Sequence, residues 1–203
     1  MDQHLKWQED LTNDLSAYDG ESEFEPWAHP IGYDGRVEFS NCNRASLLEH
    51  FLKVRDHCTS ILEIGVCRNG SDSSTHVFLE NKLNTTHYFG VDIENKTFLD
   101  NADQNIHTIK TSSSNIEEIW TAMQDKGVTK IDFLFIDGWH TINQVKRDWE
   151  FTKFLSVNGI VGFHDTSCHP GPKRFLEALD TEKWNVIPNT CPADWGIGFV
   201  WAK

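Results

Sequence analysis

The chain has 203 residues, enough for one domain with a sizeable core and too few for two ordinary domains joined by a linker. It carries 18 lysines and arginines against 31 aspartates and glutamates, a formal net charge of −13. Such an acidic surface repels phosphate backbones, which disfavours DNA or RNA as the substrate. No apolar run approaches the roughly 20 residues of a membrane span, so no membrane association is expected.

The first residues of the chain and its cysteine usage are evidence for the cellular compartment of the protein. No basic region followed by an apolar run begins the sequence, so no secretory signal is predicted. The cysteines are odd in number, widely spread and without a CxxC pair: Cys42, Cys58, Cys67, Cys168 and Cys191. This usage is typical of free thiols in a reducing compartment, and we expect a cytoplasmic protein.

Residues 1–45 are polar and acidic and show no sustained period of 2 or 3.6. The pattern predicts an irregular or partly helical extension ahead of a catalytic domain over residues 46–203. The extension contains the aromatic side chains of Trp7, Phe24, Trp27, Tyr33 and Phe39. These either pack onto the domain or form a lid over the substrate, and the extension could also lie in the interface of a homo-oligomer.

From about Ala45 onward, helical and strand patterns alternate, as in a parallel sheet with helices on both faces. The predicted helices are ASLLEHFLKVRD, SSTHVFLENKL, NIEEIWTAMQDKG, TINQVKRDWEFTKFL and GPKRFLEAL, and the predicted strands are SILEIGV, YFGVDI, HTIKT, IDFLFIDG, GIVGFHD, WNVIPN and GIGFVWAK. The last two strands must pair as an antiparallel hairpin, because a parallel connection needs a crossover of about a dozen residues or more. The sequence thus predicts an α/β fold with a seven-stranded, mostly parallel sheet.

The turn between the first strand and the following helix is a candidate ligand site. Gly65 and Gly70 allow the backbone to approach a ligand, and the helix N-terminus offers unpaired amide donors. The dinucleotide fingerprint requires glycine at the middle position, where this chain has Cys67. The carboxylate of Glu63 repels a pyrophosphate but can help to hold a cationic ligand such as S-adenosylmethionine. Asp92 ends the second strand 22 residues after Gly70, close to the interval of about 20 residues for a ribose-binding acid.

The motifs LEIGVCRNGS, FGVDI, FLFIDGWHTINQVKRDWE and GIVGFHDT carry a resemblance from about Ser60 to the C-terminus. The chain resembles the class I S-adenosylmethionine-dependent methyltransferases, and is similar to their macrocin O-methyltransferase and cephalosporin-hydroxylase-like group. The resemblance implies a Rossmann-like fold and S-adenosylmethionine as cofactor. It implies a cofactor site that includes Glu63, Gly65, Cys67, Gly70, Ser71, Asp92, Ser112, Ser113, Asp137 and Trp139. Ser112 and Ser113 would contact the adenosine end, or else form a capping run before the helix that follows.

Two further motifs end neighbouring strands and predict the chemistry. Asp137 and Asp165 lie at the carboxyl edge of the sheet, where open α/β sheets bind ligands, and could share one Mg²⁺ or Mn²⁺. His164 is a further candidate ligand, with a merely structural role for this His-Asp pair as the alternative. His140 could accept the proton of an acceptor hydroxyl, since the unperturbed pKa of histidine is about 6.5. Trp139 either packs beside the cofactor or belongs to the core.

These residues predict a metal-assisted O-methyltransferase that acts on a small hydroxylated molecule, such as a sugar or a glycosylated metabolite. A nicotinamide-dependent oxidoreductase is a rival, although Cys67 and the terminal hairpin disfavour it. A non-catalytic binding protein with the same fold is another rival. The cluster of His164, Asp165, Cys168 and His169 could suggest zinc, but its spacing matches no structural zinc pattern.

Overall fold

The computed structural model describes residues 6–13, 15, 39–66 and 73–203. Its helices are α1 (Lys6–Asp10), α2 (Asn41–Val54), α3 (Ser74–Asn81), α4 (Ile116–Gln124), α5 (Ile142–Trp149) and α6 (Pro170–Ala178). Its strands are β1 (Ser60–Ile64), β2 (His87–Asp92), β3 (Ile106–Lys110), β4 (Ile131–Ile136), β5 (Leu155–His164), β6 (Trp184–Ile187) and β7 (Ile197–Ala202). Every predicted helix and strand from Ala45 onward is present.

The seven strands form one sheet in the order β3-β2-β1-β4-β5-β7-β6. The first five strands pair in parallel, since helices or turns carry the chain back between them. Strand β7 lies between β5 and β6 and is antiparallel to both. The predicted Rossmann-like sheet with a closing antiparallel hairpin is therefore confirmed.

The central strands are buried on both faces, which explains their almost continuous apolar sequence. Side chains alternate between two core clusters with the period of two that a strand imposes. In β4, Leu134 and Ile136 enter the cluster that α4, α5 and α6 cover, whereas Phe133 and Phe135 enter the cluster that α2 and α3 cover. Helices therefore pack on both faces and leave the carboxyl edge of the sheet for the site.

Helix α2 begins earlier than the pattern predicted. Ser40 has an extended backbone and accepts a hydrogen bond from Asn43 N at 3.1 Å, so it caps a helix that starts at Asn41. The helix therefore runs across the predicted division of the chain after residue 45. Two other bounds also differ from the predicted ones. Helix α5 ends at Trp149, before a 3₁₀ segment over Glu150–Phe154, and β5 begins at Leu155.

The described part of the N-terminal extension packs onto the domain. The buried carboxylate of Asp10 accepts a hydrogen bond from Trp149 Nε1 at 2.9 Å, and Thr12 N donates to Ala178 O at 2.9 Å. Phe39 is buried beside Phe135, which agrees with the packing interpretation at that position. The other aromatic positions, the Trp7 side chain and Phe24, Trp27 and Tyr33, lie outside the described residues.

The expectation of five free thiols is wrong for one pair. Cys42 at the start of α2 and Cys191 in the loop before β7 form a disulfide, with their Cα atoms 6.0 Å apart. The two residues are 149 positions apart in the sequence, so only the fold brings them together. Cys58 and Cys168 are free, and Cys67 lies outside the described residues. The disulfide removes the main support for a reducing, cytoplasmic compartment.

Among the helices described, none has the length and apolar character needed to cross a membrane.

Candidate active site

The turn after β1 is held against the end of β4. Gly65 has a φ of +83°, and a Cβ at this position would overlap the carbonyl oxygen of Asp137. Gly65 N donates to Val91 O at 2.9 Å, and Asp137 N donates to Ile64 O at 2.8 Å. Only glycine fits this turn, which brings two predicted parts of the site into direct contact.

Glu63 is completely buried beneath the start of α3. Its carboxylate accepts hydrogen bonds from the hydroxyls of Ser74 and Tyr88, and from Thr75 Oγ1 at 2.9 Å. Burial raises the pKa of Glu63 to about 7, although these three donors act in the opposite direction. The side chain therefore connects β1, β2 and α3 directly behind the predicted cofactor turn.

Asp92 ends β2 opposite the same turn. Its Oδ2 accepts a hydrogen bond from Val66 N at 3.0 Å, and its Oδ1 accepts one from Glu94 N at 2.8 Å. Lys96 Nζ lies 3.9 Å from Oδ2. Asp92 thus borders the predicted cofactor turn, while Cys67, Gly70 and Ser71 of that turn lie outside the described residues.

Ser112 and Ser113 follow β3, and Ser113 faces α5. Ser113 Oγ accepts a hydrogen bond from Gln144 Nε2 at 2.9 Å, and the same nitrogen donates to Asp148 Oδ1 at 2.8 Å. The alternative that these serines cap α4 is wrong for the N-cap itself, because Asn115 occupies that position directly before Ile116. Burial raises the pKa of Asp148 to about 7, and its Oδ2 finds no hydrogen-bond partner among the described residues.

Asp137 and Asp165 meet at the carboxyl edge of the sheet because β4 and β5 are parallel neighbours. Asp165 has a φ of +61°, a conformation that aspartate tolerates better than most residues, and it begins the turn into α6. The His164 Nδ1 atom lies 3.1 Å from Asp137 Oδ1 and 3.2 Å from Asp165 Oδ2. One imidazole nitrogen therefore lies between the two predicted metal-binding carboxylates.

His164 is buried, and each ring nitrogen has a polar neighbour. Its Nε2 lies 3.0 Å from Asn43 Nδ2, and the Phe39 ring lies 5.1 Å from its own ring. Burial would lower the pKa of His164, but the carboxylates of Asp165 and Asp137 raise it to about 10. Burial would raise the pKa of Asp165, but the nearby His164 and His140 hold this pKa well below its usual range.

His140 joins the same cluster from the loop after β4. Its Nε2 lies 3.0 Å from Asp165 Oδ2 and 3.6 Å from Asp137 Oδ1, and its ring centroid lies 4.2 Å from that of His169. Trp139 is 56% exposed, so the core alternative for this residue is wrong. Its exposure follows from its place in an open loop, between the buried end of β4 and the start of α5.

Two groups of candidate metal ligands share Asp165: Asp137, His164 and Asp165, and separately His140, Asp165 and His169. Within each group, the potential ligand atoms lie within 4.8 Å of one another. The first group is the set predicted from the sequence, and its two carboxylates and one imidazole fit a divalent cation. The nitrogen favours Mn²⁺ over Mg²⁺, which prefers oxygen ligands. Among the described residues, no such group contains Cys168, so the zinc set of four does not form.

A cavity of about 260 Å³ opens beside this cluster. Its lining comes from the β5–α6 junction, α6 and the β6–β7 loop: Thr166, Ser167, Lys173, Glu177, Pro188, Asn189 and Pro192. Thr166 follows Asp165 directly and is buried, and its hydroxyl finds no hydrogen-bond partner among the described residues.

The sheet order, the closing hairpin and the cluster at the carboxyl edge together define a class I methyltransferase fold. Residues 62–166, more than half of the chain, match the family model described as Methyltransferase domain, and the chain belongs to this family. None of the curated protein sequences matches this chain.

Solved structures share the same fold. The MycE methyltransferase from the mycinamycin biosynthetic pathway, in complex with Mg, SAH and mycinamycin VI, is 15% identical with a TM-score of 0.55. The match covers 78% of this chain and 48% of MycE, so the chain spans about half the length of that protein. The O-methyltransferase from Bacillus cereus in complex with SAH is 13% identical, with a TM-score of 0.55 and coverage of 83% and 84%. Apo CalS11, a TDP-rhamnose 3′-O-methyltransferase, is 14% identical, with a TM-score of 0.57 and coverage of 80% and 81%.

Three residues of the site escaped the sequence analysis. Asn43 lies in the predicted extension and contacts the cluster only through the docking of α2. Asp148 is a charged residue inside α5, and the sequence analysis did not predict its complete burial. His169 was considered only as a zinc ligand, whereas its ring packs on His140. For Asp148, the signal available was an acid on the buried face of α5, next to Val145 and Trp149.

Proposed function

We propose that the chain is an S-adenosylmethionine-dependent O-methyltransferase that acts on a small hydroxylated acceptor, a sugar or a glycosylated metabolite, with the help of a divalent cation. Residues 46–203 form its methyltransferase domain in this proposal. The observation that carries it is the convergence of His140, Asp137 and Asp165 beside the turn bordered by Gly65 and Asp92. SAH in the MycE and Bacillus cereus structures, Mg in MycE and the sugar named for CalS11 support the assignment.

The cofactor would occupy the carboxyl edge of β1 and β2. Asp92 offers carboxylate oxygens to the ribose hydroxyls, and Glu63 places its carboxyl behind the methionine portion. Ser112 and Ser113 lie where the adenosine end would be bound, together with Gln144. Trp139 presents an exposed indole in the loop between the two sites and would pack beside the cofactor.

His140 is the proposed base. Asp165 Oδ2 lies 3.0 Å from its Nε2, and the negative charge of this carboxylate would favour a proton on Nε2, which would leave Nδ1 as the basic nitrogen. The packed ring of His169 holds the imidazole plane. Since the sulfonium is already an activated leaving group, alignment of acceptor oxygen, methyl carbon and sulfur is the main remaining need, and positioning can contribute about 7 to 11 kcal/mol.

Asp137, Asp165 and His164 would hold the cation, and its proposed identity is Mn²⁺ or Mg²⁺. When bound, such a cation makes an acceptor hydroxyl easier to deprotonate. The cavity beside Thr166 would receive the acceptor, because hydroxyl, amide and charged groups line it together with two proline rings. This lining suits a ring with several hydroxyl groups better than an extended apolar chain.

The experiment that tests the proposal is calorimetric titration of the protein with S-adenosylhomocysteine, with and without Mn²⁺ or Mg²⁺, and with NAD as the control ligand. Micromolar binding of the homocysteine product without NAD binding is expected. Binding of NAD alone would replace the proposal by the oxidoreductase alternative, and binding of neither would favour a non-catalytic protein.

The role of His140 is tested by His140→Ala once an acceptor is identified from a panel of glycosides. We expect near-normal binding of S-adenosylhomocysteine and a loss of turnover of about 10² to 10⁴, the usual contribution of a general base. His169→Phe, which keeps an aromatic ring against His140, is the control and should keep most of the turnover. Unchanged turnover in His140→Ala contradicts the assignment.

A further inference from the structure

The start of α2, together with Phe39 just before it, contacts the edge of the sheet that carries the candidate site. Phe39 packs on His164, Cys42 is bonded to Cys191, Ser46 Oγ lies 2.6 Å from Thr190 Oγ1, and Asn43 reaches His164. Of these, the Asn43 contact is the polar one that involves a proposed metal ligand. Asn43 itself is completely buried.

The Asn43 amide is only half satisfied in its present orientation. Its Nδ2 lies 3.0 Å from His164 Nε2, while its Oδ1 finds no hydrogen-bond partner among the described residues. The oxygen and nitrogen of an asparagine amide are distinguished only by their hydrogen-bond network. A half-turn of the amide exchanges its two atoms, so that His164 Nε2–H donates to Oδ1 and Nδ2 takes the position that the unpaired oxygen now has.

This rotated arrangement is the one that a metal-ligating histidine requires. A histidine that binds a cation through one nitrogen usually donates its other N–H to a carboxylate or carbonyl oxygen, which fixes the tautomer and the ring orientation. His164 Nδ1 faces Asp137 and Asp165, so Nε2 is the nitrogen left for that outer partner. The amide oxygen of Asn43 is the acceptor within reach.

We propose that Asn43 is a positioning residue that holds the His164 ring with Nδ1 toward the two carboxylates, and thereby belongs to the divalent-cation site. This inference rests on the proposed function for the cation but adds a residue from the N-terminal segment. It also gives that segment a role, since α2 delivers Asn43 to the site and the Cys42–Cys191 disulfide holds its first turn in place.

The test measures Mn²⁺ affinity by electron paramagnetic resonance of the free ion in three variants of the full chain. Asn43→Leu keeps the shape but removes the acceptor, Asn43→Asp keeps an acceptor oxygen, and Ser46→Ala is the matched control on the same helix. We expect Asn43→Leu to weaken Mn²⁺ binding by about 10- to 100-fold, the usual effect of removing such an outer partner. Asn43→Asp should bind at least as tightly as the original chain, and Ser46→Ala should bind equally.

A second readout separates this inference from the proposed metal function. Long-range ¹⁵N correlation spectra of the metal-free protein report the protonation and hydrogen bonding of both His164 ring nitrogens. We expect one fixed state in the original chain, in Asn43→Asp and in Ser46→Ala, and an averaged state in Asn43→Leu. If no protein binds Mn²⁺ but these spectra differ as expected, the metal assignment fails and the positioning role stands. If Asn43→Leu leaves both measurements unchanged, or Ser46→Ala alters them equally, the positioning role is refuted.

Discussion

Replacing Glu63 by glutamine should change how the stability of the protein depends on pH. Burial raises the pKa of Glu63 from 4.5 to about 7 in the native chain, whereas the unfolded chain keeps the lower value. Between these two values the native state holds a proton that the unfolded state lacks, so unfolding releases a proton and stability falls as pH rises. A pKa difference of this size corresponds to about 3 kcal/mol. Glutamine cannot titrate, so Glu63→Gln avoids this loss.

Urea denaturation of both proteins from pH 4 to pH 8 measures the effect. The free energy of unfolding of Glu63→Gln, relative to the original chain, should rise by about 3 kcal/mol between pH 4.5 and pH 7 and then stay level. Asp148 contributes with the same sign, since its pKa is also raised to about 7, but its effect is common to both proteins and cancels in the difference. Glu182→Gln, an exposed change before β6, is the control. If the free energy of unfolding has the same pH dependence in Glu63→Gln and in the original chain, the raised pKa of Glu63 is refuted.

The same variant examines the predicted contact with the cofactor. Ionised Glu63 attracts the sulfonium of S-adenosylmethionine, whereas S-adenosylhomocysteine has a neutral sulfur. Because the pKa of Glu63 is about 7, affinity for S-adenosylmethionine should increase from pH 6 to pH 8 in the original chain and not in Glu63→Gln. Affinity for S-adenosylhomocysteine should change equally in both proteins. An identical pH dependence for both ligands would place Glu63 in a purely structural role.

Two further predictions concern the disulfide and the second strand. Cys42→Ser/Cys191→Ser should lower the free energy of unfolding by up to about 5 kcal/mol, the entropy of closing a loop of roughly 150 residues, and urea denaturation with and without reductant measures it. Equal stability of the variant and the unreduced original chain, or reaction of all five cysteines with a thiol reagent in the native protein, would contradict the disulfide. Asp92→Ala should weaken S-adenosylhomocysteine binding at least tenfold in calorimetric titration, since it removes the proposed ribose contact, and unchanged affinity would eliminate that contact.

The fold was predictable because its central strands are buried on both faces. Such strands are apolar along most of their length, and β1 and β4 appear in the sequence as short, largely apolar runs bounded by turn residues. The bounds of α2 and β5 were less predictable. The start of α2 depends on a single serine cap, and the first residues of β5 include an exposed valine, Val157, so neither carries a hydrophobic signal.

The residues at the strand ends were predictable for a different reason. Parallel neighbours place their carboxyl ends at one edge, so Asp137 and Asp165 had to lie near each other once β4 and β5 were recognised. The sequence could not predict the contacts that residues distant in the chain make with this edge. Asn43 and Cys42 reach it only because α2 docks its first turn against the β6–β7 loop, and no local pattern encodes that docking.

The docking of α2 also links an N-terminal segment to the proposed chemistry at the carboxyl edge of the sheet. The site contains two carboxylates and two imidazoles within hydrogen-bonding distance, and such a cluster has several arrangements of its protons. His140 is oriented by Asp165 and His169, whereas His164 depends on Asn43 for its second nitrogen. His140 can therefore accept a proton while His164 is held toward the carboxylates. The two rings can have different roles although both lie against Asp165.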